Sequence, residues 1–219
     1  MNNNLENNLA TIIGTIDGEF LFDHITHDIK FYTFTICIPR LSGTIDRVRV
    51  IISEDIIMNK EYLDGDKVKI TGQFRSYNGY EHGEKRLFLY VFAKNICKVE
   101  SANEDENETE QKPNLLYLDG YICKAPVYRI TPSNKEITDI LVAVNRNYNK
   151  SDYIPVIAWG KDARFAKKLK VGDNVRISGR IQSRNYQKRI SDEETIDETT
   201  YEISANYIKL VGNVVKELI

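Results

Sequence analysis

The sequence predicts an all-β protein with short helices, made of two copies of one five-stranded barrel in tandem. Three observations carry that expectation. β-Branched runs and 13 tyrosines favour strands over helices. Apolar residues recur at every second position, as they do along a half-buried strand. The chain also repeats itself, since Asp64-Gly-Asp-Lys-Val-Lys-Ile-Thr-Gly-Gln-Phe-Arg-Ser lines up with Val171-Gly-Asp-Asn-Val-Arg-Ile-Ser-Gly-Arg-Ile-Gln-Ser at a shift of 107.

That shift pairs Gly65 with Gly172, Asp66 with Asp173, Gly72 with Gly179 and Ser76 with Ser183. Upstream, Gly14 and Ile16 meet Gly120 and Ile122 at 106; downstream, Ala93, Ile96 and Val99 meet Ala205, Ile208 and Val211 at 112. The growth of the shift places a five-residue lengthening in the second copy, around Asp192-Glu-Glu-Thr-Ile-Asp-Glu. Duplication is the simplest account, and 219 residues suit two domains of about 100. Residues 100–114 hold one lysine against six acidic residues and almost nothing apolar, which reads as an acidic, solvated linker. The expected domains are 1–99 and 115–219.

In order, the first copy reads as strands 9–20, 30–40 and 45–53, a helix over 54–63, and strands 66–77 and 86–99. The second reads as strands 115–130, 137–147 and 153–159, a helix over 161–169, and strands 173–185 and 199–211. Five strands with one helix between the third and fourth are the plan of the OB-fold, a small Greek-key barrel. Gly-Asp after each helix supplies a tight turn. Gly72 and Gly179, inside the fourth strands, fit a bend where a barrel corner closes. Asn78-Gly79 reads as a hairpin turn flanked by Tyr77 and Tyr80. A doubly wound α/β unit would need helices between all its strands, and they are absent.

The net charge of −2 hides an uneven distribution. Residues 1–99 are net −1, residues 100–114 net −5 and residues 115–219 net +4, with +10 concentrated in 120–189. Local charge governs phosphate binding more than the total does. The three cysteines, Cys37, Cys97 and Cys123, are far apart and lack C-x-x-C spacing, so reduced thiols and no metal site are expected. No apolar run is long enough to span a membrane. The N-terminal residues lack the basic and apolar regions of a signal peptide, and a cytoplasmic protein is expected. His24 and His27 read as polar surface.

The stretch from Tyr153 to Tyr186 carries most of the functional signal. Ile154, Val156 and Ala158 can face a core while Tyr153, Pro155, Ile157 and Trp159 face outward. Val175, Ile177, Gly179 and Ile181 form an inner set, opposite Arg176, Ser178, Arg180, Gln182, Arg184 and Tyr186. A sheet face of aromatics and arginines suits a single-stranded nucleic acid, with rings stacking on bases and cations tracking phosphates. The phosphate candidates are Arg146, Arg176, Arg180, Arg184, Lys188 and Arg189. Lys161, Arg164, Lys167, Lys168 and Lys170 read as solvated helix surface, with Phe165 and Leu169 packed inward. In the first copy the outer face keeps Arg47, Arg49, Lys67, Lys69 and Arg75. The acidic insert 192–198 is expected to project as a loop that competes with nucleic acid for the neighbouring cations.

Residues 118–211 resemble the bacterial single-stranded DNA-binding protein (SSB) family. The resemblance rests on L-D-G-Y-I, I-L-V-A-V-N-R-N-Y, Y-I-P-V-I-A-W-G-K-D-A, V-G-D-N-V-R-I-S-G-R-I-Q-S-R-N-Y and Y-E-I-S-A-N-Y-I-K-L-V-G. It implies base stacking at four aromatic positions, here Tyr148, Tyr153, Trp159 and Tyr186. The first copy has Ser42, Arg47, Ser53 and Gly79 at the aligned positions, with Tyr77 and Tyr80 nearby, so it keeps cations and loses most of the platform. The resemblance further implies single-stranded DNA binding in replication, recombination and repair, and four OB domains per assembly, hence a homodimer. The family's flexible tail ends in an acidic tip that recruits partners; this sequence ends Val215-Lys-Glu-Leu-Ile, so recruitment through such a tip is not expected. No catalytic arrangement or cofactor is read from the pattern, because the carboxylates cluster in the linker and one loop. The alternatives are a primosomal or other replication accessory protein acting through protein contacts, and an RNA-binding OB protein.

Overall fold

A computed structural model describes residues 7–81, 83–99, 112–147, 149–189 and 195–211. Tyr148, residues 100–111 of the expected linker, Asp192–Glu194 of the acidic insert and the final Val215–Ile219 lie outside the described residues, as does the side chain of Arg189. The strands are β1 (Asn8–Thr26), β2 (Ile29–Pro39), β3 (Ile45–Ser53), β4 (Lys67–Glu81), β5 (Glu84–Lys98), β6 (Asn114–Ile122), β7 (Val127–Ile130), β8 (Glu136–Asn145), β9 (Ser151–Trp159), β10 (Asn174–Arg189) and β11 (Thr195–Leu210). The helices are α1 (Glu54–Ile57) and α2 (Gly160–Ala166).

Two compact units form. The first comprises residues 9–115 with 181–201, and the second residues 1–8, 116–180 and 202–219. Within the first, the strand order is β2-β3-β5-β4-β1, and a β1–β2 pairing closes the barrel. Within the second it is β6-β10-β11-β9-β8-β7, closed by β6–β8. In each, the strand before the helix runs parallel to the last strand, β3 with β5 and β9 with β11. These are two OB-fold barrels.

Period-2 patterning builds both cores. Ala10, Ile12, Ile36, Val48, Val50, Ile52, Val68, Ile70 and Phe74 are fully buried in the first; Leu118, Val142, Ile154, Ala158 and Val175 are in the second. The duplication is visible atom by atom. Gly65 and Gly172 both adopt positive φ, +87° and +93°, and donate to Ile16 O and Ile122 O at 3.0 and 2.8 Å. The carboxylates of Asp66 and Asp173 each accept a backbone N–H three residues upstream, from Leu63 and Lys170, at 2.8 Å. Arg40 grips buried Asp46 as Arg146 grips buried Asp152, with Nε–Oδ2 distances of 2.7 and 2.6 Å.

Gly72 and Gly179 sit where the chain crosses a neighbouring strand closely. A Cβ on Gly179 would lie 2.5 Å from Ser204 O, and one on Gly72 2.1 Å from Phe92 O. The ladder also shifts register between Thr71 and Gly72, the signature of a bulge. Gly179→Ala is therefore expected to destabilise the protein by about 1–3 kcal/mol through overpacking, measured as a lower urea midpoint. A midpoint equal to wild type would contradict the close approach.

Several expectations need correction. β1 runs to Thr26 rather than 20, because Gly18 turns through positive φ and Leu21–Thr26 then pair with β2. Helix α1 has four residues instead of the ten expected. It buries none of them, and Met58 and Leu63 beyond it are exposed, so no apolar stripe sustains a longer helix. Asn78-Gly79 is not a turn. Both residues pair within the β4–β5 ladder, whose last pair is Glu81 with Glu84. The glycine instead leaves room for the Phe88 ring, 2.9 Å from where its Cβ would be. The expected strand 115–130 is two strands, β6 and β7. Phe165 is half-exposed rather than packed inward, and Ile157 is buried although it alternates with outward residues. Thr195–Glu198 open β11 instead of projecting, and Glu198 is 8% exposed.

Candidate nucleic-acid interface

In the second unit, Tyr153 and Trp159 stand on the outward side of β9, 42% and 37% exposed, while Ile154, Val156 and Ala158 beneath them are at 0–1%. Trp159 Nε1 donates to Ser204 Oγ of β11 at 3.1 Å. That bond fixes the indole edge and leaves part of the ring in solvent. The registers add a residue the sequence reasoning missed. Tyr121 of β6 faces Ala143 of β8, which faces Tyr153 of β9. Two exposed tyrosines thus flank an alanine across three strands, about 10 Å apart at the usual strand spacing. Tyr121 (41% exposed) was findable, because it alternates with buried Gly120 and Ile122.

The same lateral row in the first unit is Thr15, Cys37 and Arg47. It carries no ring, and Arg47 is ion-paired with Asp17. The Cys37 thiol there is pushed up from its usual pKa, mainly by burial.

The outer half of β10 belongs to the first unit, so Arg184, Tyr186 and Lys188 are not in the unit that holds Tyr153 and Trp159. Ser183 anchors this segment. Its N–H donates to Asp46 Oδ1 at 2.7 Å, its Oγ accepts from Arg47 N at 2.9 Å, and its carbonyl accepts from Arg40 at 3.1 Å. Tyr186, 39% exposed, donates its hydroxyl to Glu198. That bond, with burial, raises the phenol pKa, which keeps the donor protonated. Glu198 also pairs with Arg86 at 2.7 Å, and Arg86 donates to Thr199 O at 3.2 Å. A cleft of about 250 Å³ opens beside this group, lined by Arg49, Arg86, Phe88, Glu198 and Tyr201 among others.

Most of the expected phosphate contacts are already paired with carboxylates. Arg146 is bound to Asp152, Arg176 to Asp119 (2.8 Å), Lys188 to Glu84 (2.6 Å), Arg47 to Asp17 and Arg49 to Asp23 (2.7 Å). Arg176 and Lys188 have raised pKa values, each chiefly from the hydrogen bond to its partner. Arg75 donates to Gln73 Oε1 at 3.1 and 2.6 Å and lies over the Phe92 ring. Arg180 is half-buried on β10. Arg184 is exposed and makes no ion pair among the described residues. Tyr80 is 75% exposed, and Tyr77 (41%) stacks on Phe88 with centroids 4.9 Å apart.

Among the described residues no group of His, Cys, Asp and Glu could hold a metal ion. No described helix is long and apolar enough to cross a membrane.

Two barrels of this plan define an OB-fold protein. Residues 113–211 match the single-strand binding protein family. A single-stranded DNA-binding protein of Clostridium tetani is 36% identical over 83 residues, 35% of this chain and 57% of that protein. One from Caldanaerobacter subterraneus is 38% identical over 80 residues, 33% of this chain and 53% of that protein. The chain thus spans little more than half the length of these curated relatives. The wild-type single-stranded DNA binding protein from Thermus aquaticus superposes with a TM-score of 0.69 at 18% identity, covering 94% of this chain and 93% of that one. At that identity the likeness concerns the fold.

Proposed function

We propose that the protein binds single-stranded DNA with little sequence preference, by stacking and phosphate contact and without chemistry of its own. The observation that carries this reading is the outward pair Tyr153 and Trp159, exposed over a sealed core, with Tyr121 in the same lateral row as Tyr153. Stacking is sequence-tolerant because every base has a π-face. Tyr148, Tyr186, Arg180, Arg184, Arg189, Arg75, Tyr77 and Tyr80 complete the proposed contact set. Arg146, Arg176, Lys188, Arg47 and Arg49 contribute only as far as a phosphate displaces their carboxylates. Residues 1–99 and 115–219 act as the two OB domains joined by the acidic stretch between them. The protein works in the cytoplasm, on the nucleoid, in replication, recombination or repair. A homodimer would present four barrels.

Gel shift of labelled oligo-dT, competed with unlabelled oligo-dT and oligo-rU, tests the reading. A shift competed preferentially by oligo-dT supports it, and no shift at low salt removes it.

The paired cations predict a shallow salt dependence. A single strand releases counterions with a log–log slope of about −0.7 per phosphate. With few unpaired cations on the face, the slope of affinity against salt is expected to be no steeper than about −2. A slope near −5 would mean that the ion pairs open on binding.

A further inference from the structure

In the second unit Trp159 lies opposite Ile137 of β8, and Ile157 lies opposite Ser204 of β11. The first unit repeats this geometry with the residue sizes exchanged. Ser53 occupies the place of Trp159 and lies opposite Phe31 of β2, while Ile51 lies opposite Phe92 of β5. A small residue stands where the indole was, and a ring stands on each neighbouring strand. Strands are about 4.8 Å apart, so the aromatic surface has moved sideways by one strand in each direction.

The relocated rings form a built surface. Phe31 and Phe92 are both half-buried, with centroids 5.8 Å apart. His24, exposed on β1, stacks on Phe31 at 4.8 Å and 7°. Its Nδ1 is 2.6 Å from Asp23, whose other oxygen accepts from Arg49. On the far side the Arg75 guanidinium lies 4.3 Å from the Phe92 centroid. Along β5 the same face continues to Phe88, which stacks with Tyr77 and has Arg86 over its ring at 5.6 Å.

We infer that the first unit holds a second stacking site for single-stranded nucleic acid, centred on Phe31 and Phe92 and flanked by His24 and Arg75. It replaces the ring missing at Ser53. Two rings bracketed by a guanidinium and an imidazole match the base-and-phosphate chemistry of a single strand. The inference rests on the single-stranded DNA reading above.

The test is photocrosslinking of the full-length protein to a thirty-nucleotide oligo-dT carrying 5-iododeoxyuridine, with adducts mapped by peptide. Adducts on Phe31 or Phe92, besides Trp159 or Tyr153, are expected. Phe31→Leu with Phe92→Leu, which keep apolar bulk without the π-face, should lose those adducts and roughly ten-fold in affinity for the oligonucleotide. Adducts on Trp159 or Tyr153 alone would overturn this inference and leave the single-stranded DNA reading standing. No adduct and no binding would overturn both. The mapping on the wild-type protein decides the matter even if the double variant unfolds.

Discussion

Replacing Tyr153 and Trp159 together by alanine is expected to weaken binding of oligo-dT by between thirty-fold and about four orders of magnitude. Each stacked base is worth roughly 1–3 kcal/mol on alanine substitution, and two rings on one face supply two such terms. Neither ring is part of the core, since the buried side of β9 is filled by Ile154, Val156 and Ala158. The variant should therefore melt within a few degrees of wild type, which separates lost stacking from lost fold. Trp159 also donates to Ser204, but a half-exposed hydrogen bond contributes only about 1 kcal/mol. Equal affinity for the double variant and wild type would place the binding face elsewhere.

The second large effect is on stability. Asp46 is 1% exposed and accepts from the Arg40 guanidinium and from the backbone of Ser183. Asp46→Ala leaves a largely buried arginine without its carboxylate and a backbone N–H without its acceptor. Breaking a buried pair from one side typically costs about 3–5 kcal/mol. The loss should appear as a marked fall in the urea midpoint and as faster amide exchange at Ser183. A cost below about 1 kcal/mol would show that water enters freely to replace the carboxylate. Because Ser183 precedes Arg184 and Tyr186 on β10, the same variant should also loosen the segment that carries them.

The barrels were legible because their information is local. Alternation placed Ile154, Val156 and Ala158 inside, and the Gly-Asp turns and the glycine of the fourth strand repeat in both copies with the same geometry. Boundaries were less legible wherever a long-range partner decides them. Gly79 looks like half of a hairpin turn until Phe88 is placed above it, and α1 ends after four residues, none of them fully buried, with Met58 and Leu63 beyond it exposed. The site was partly legible. Outward aromatics on β9 follow from period 2, whereas Tyr121 enters only through the β6–β8–β9 registers. Charge was read least well. Arg47, Arg49, Arg146, Arg176 and Lys188 are cations in the sequence, but their partners lie 6 to 104 residues away. The sequence shows Ser53 where the second copy has Trp159, but not that strand pairing brings Phe31 and Phe92 beside it.

Trp159 is the single tryptophan of the chain, so its emission reports on the proposed face alone. Titration with oligo-dT at low salt should quench that emission strongly and saturably, and added salt should restore it in part. Unchanged emission at an oligonucleotide concentration that saturates a gel shift would contradict stacking on Trp159; unchanged emission with no gel shift would contradict single-strand binding itself.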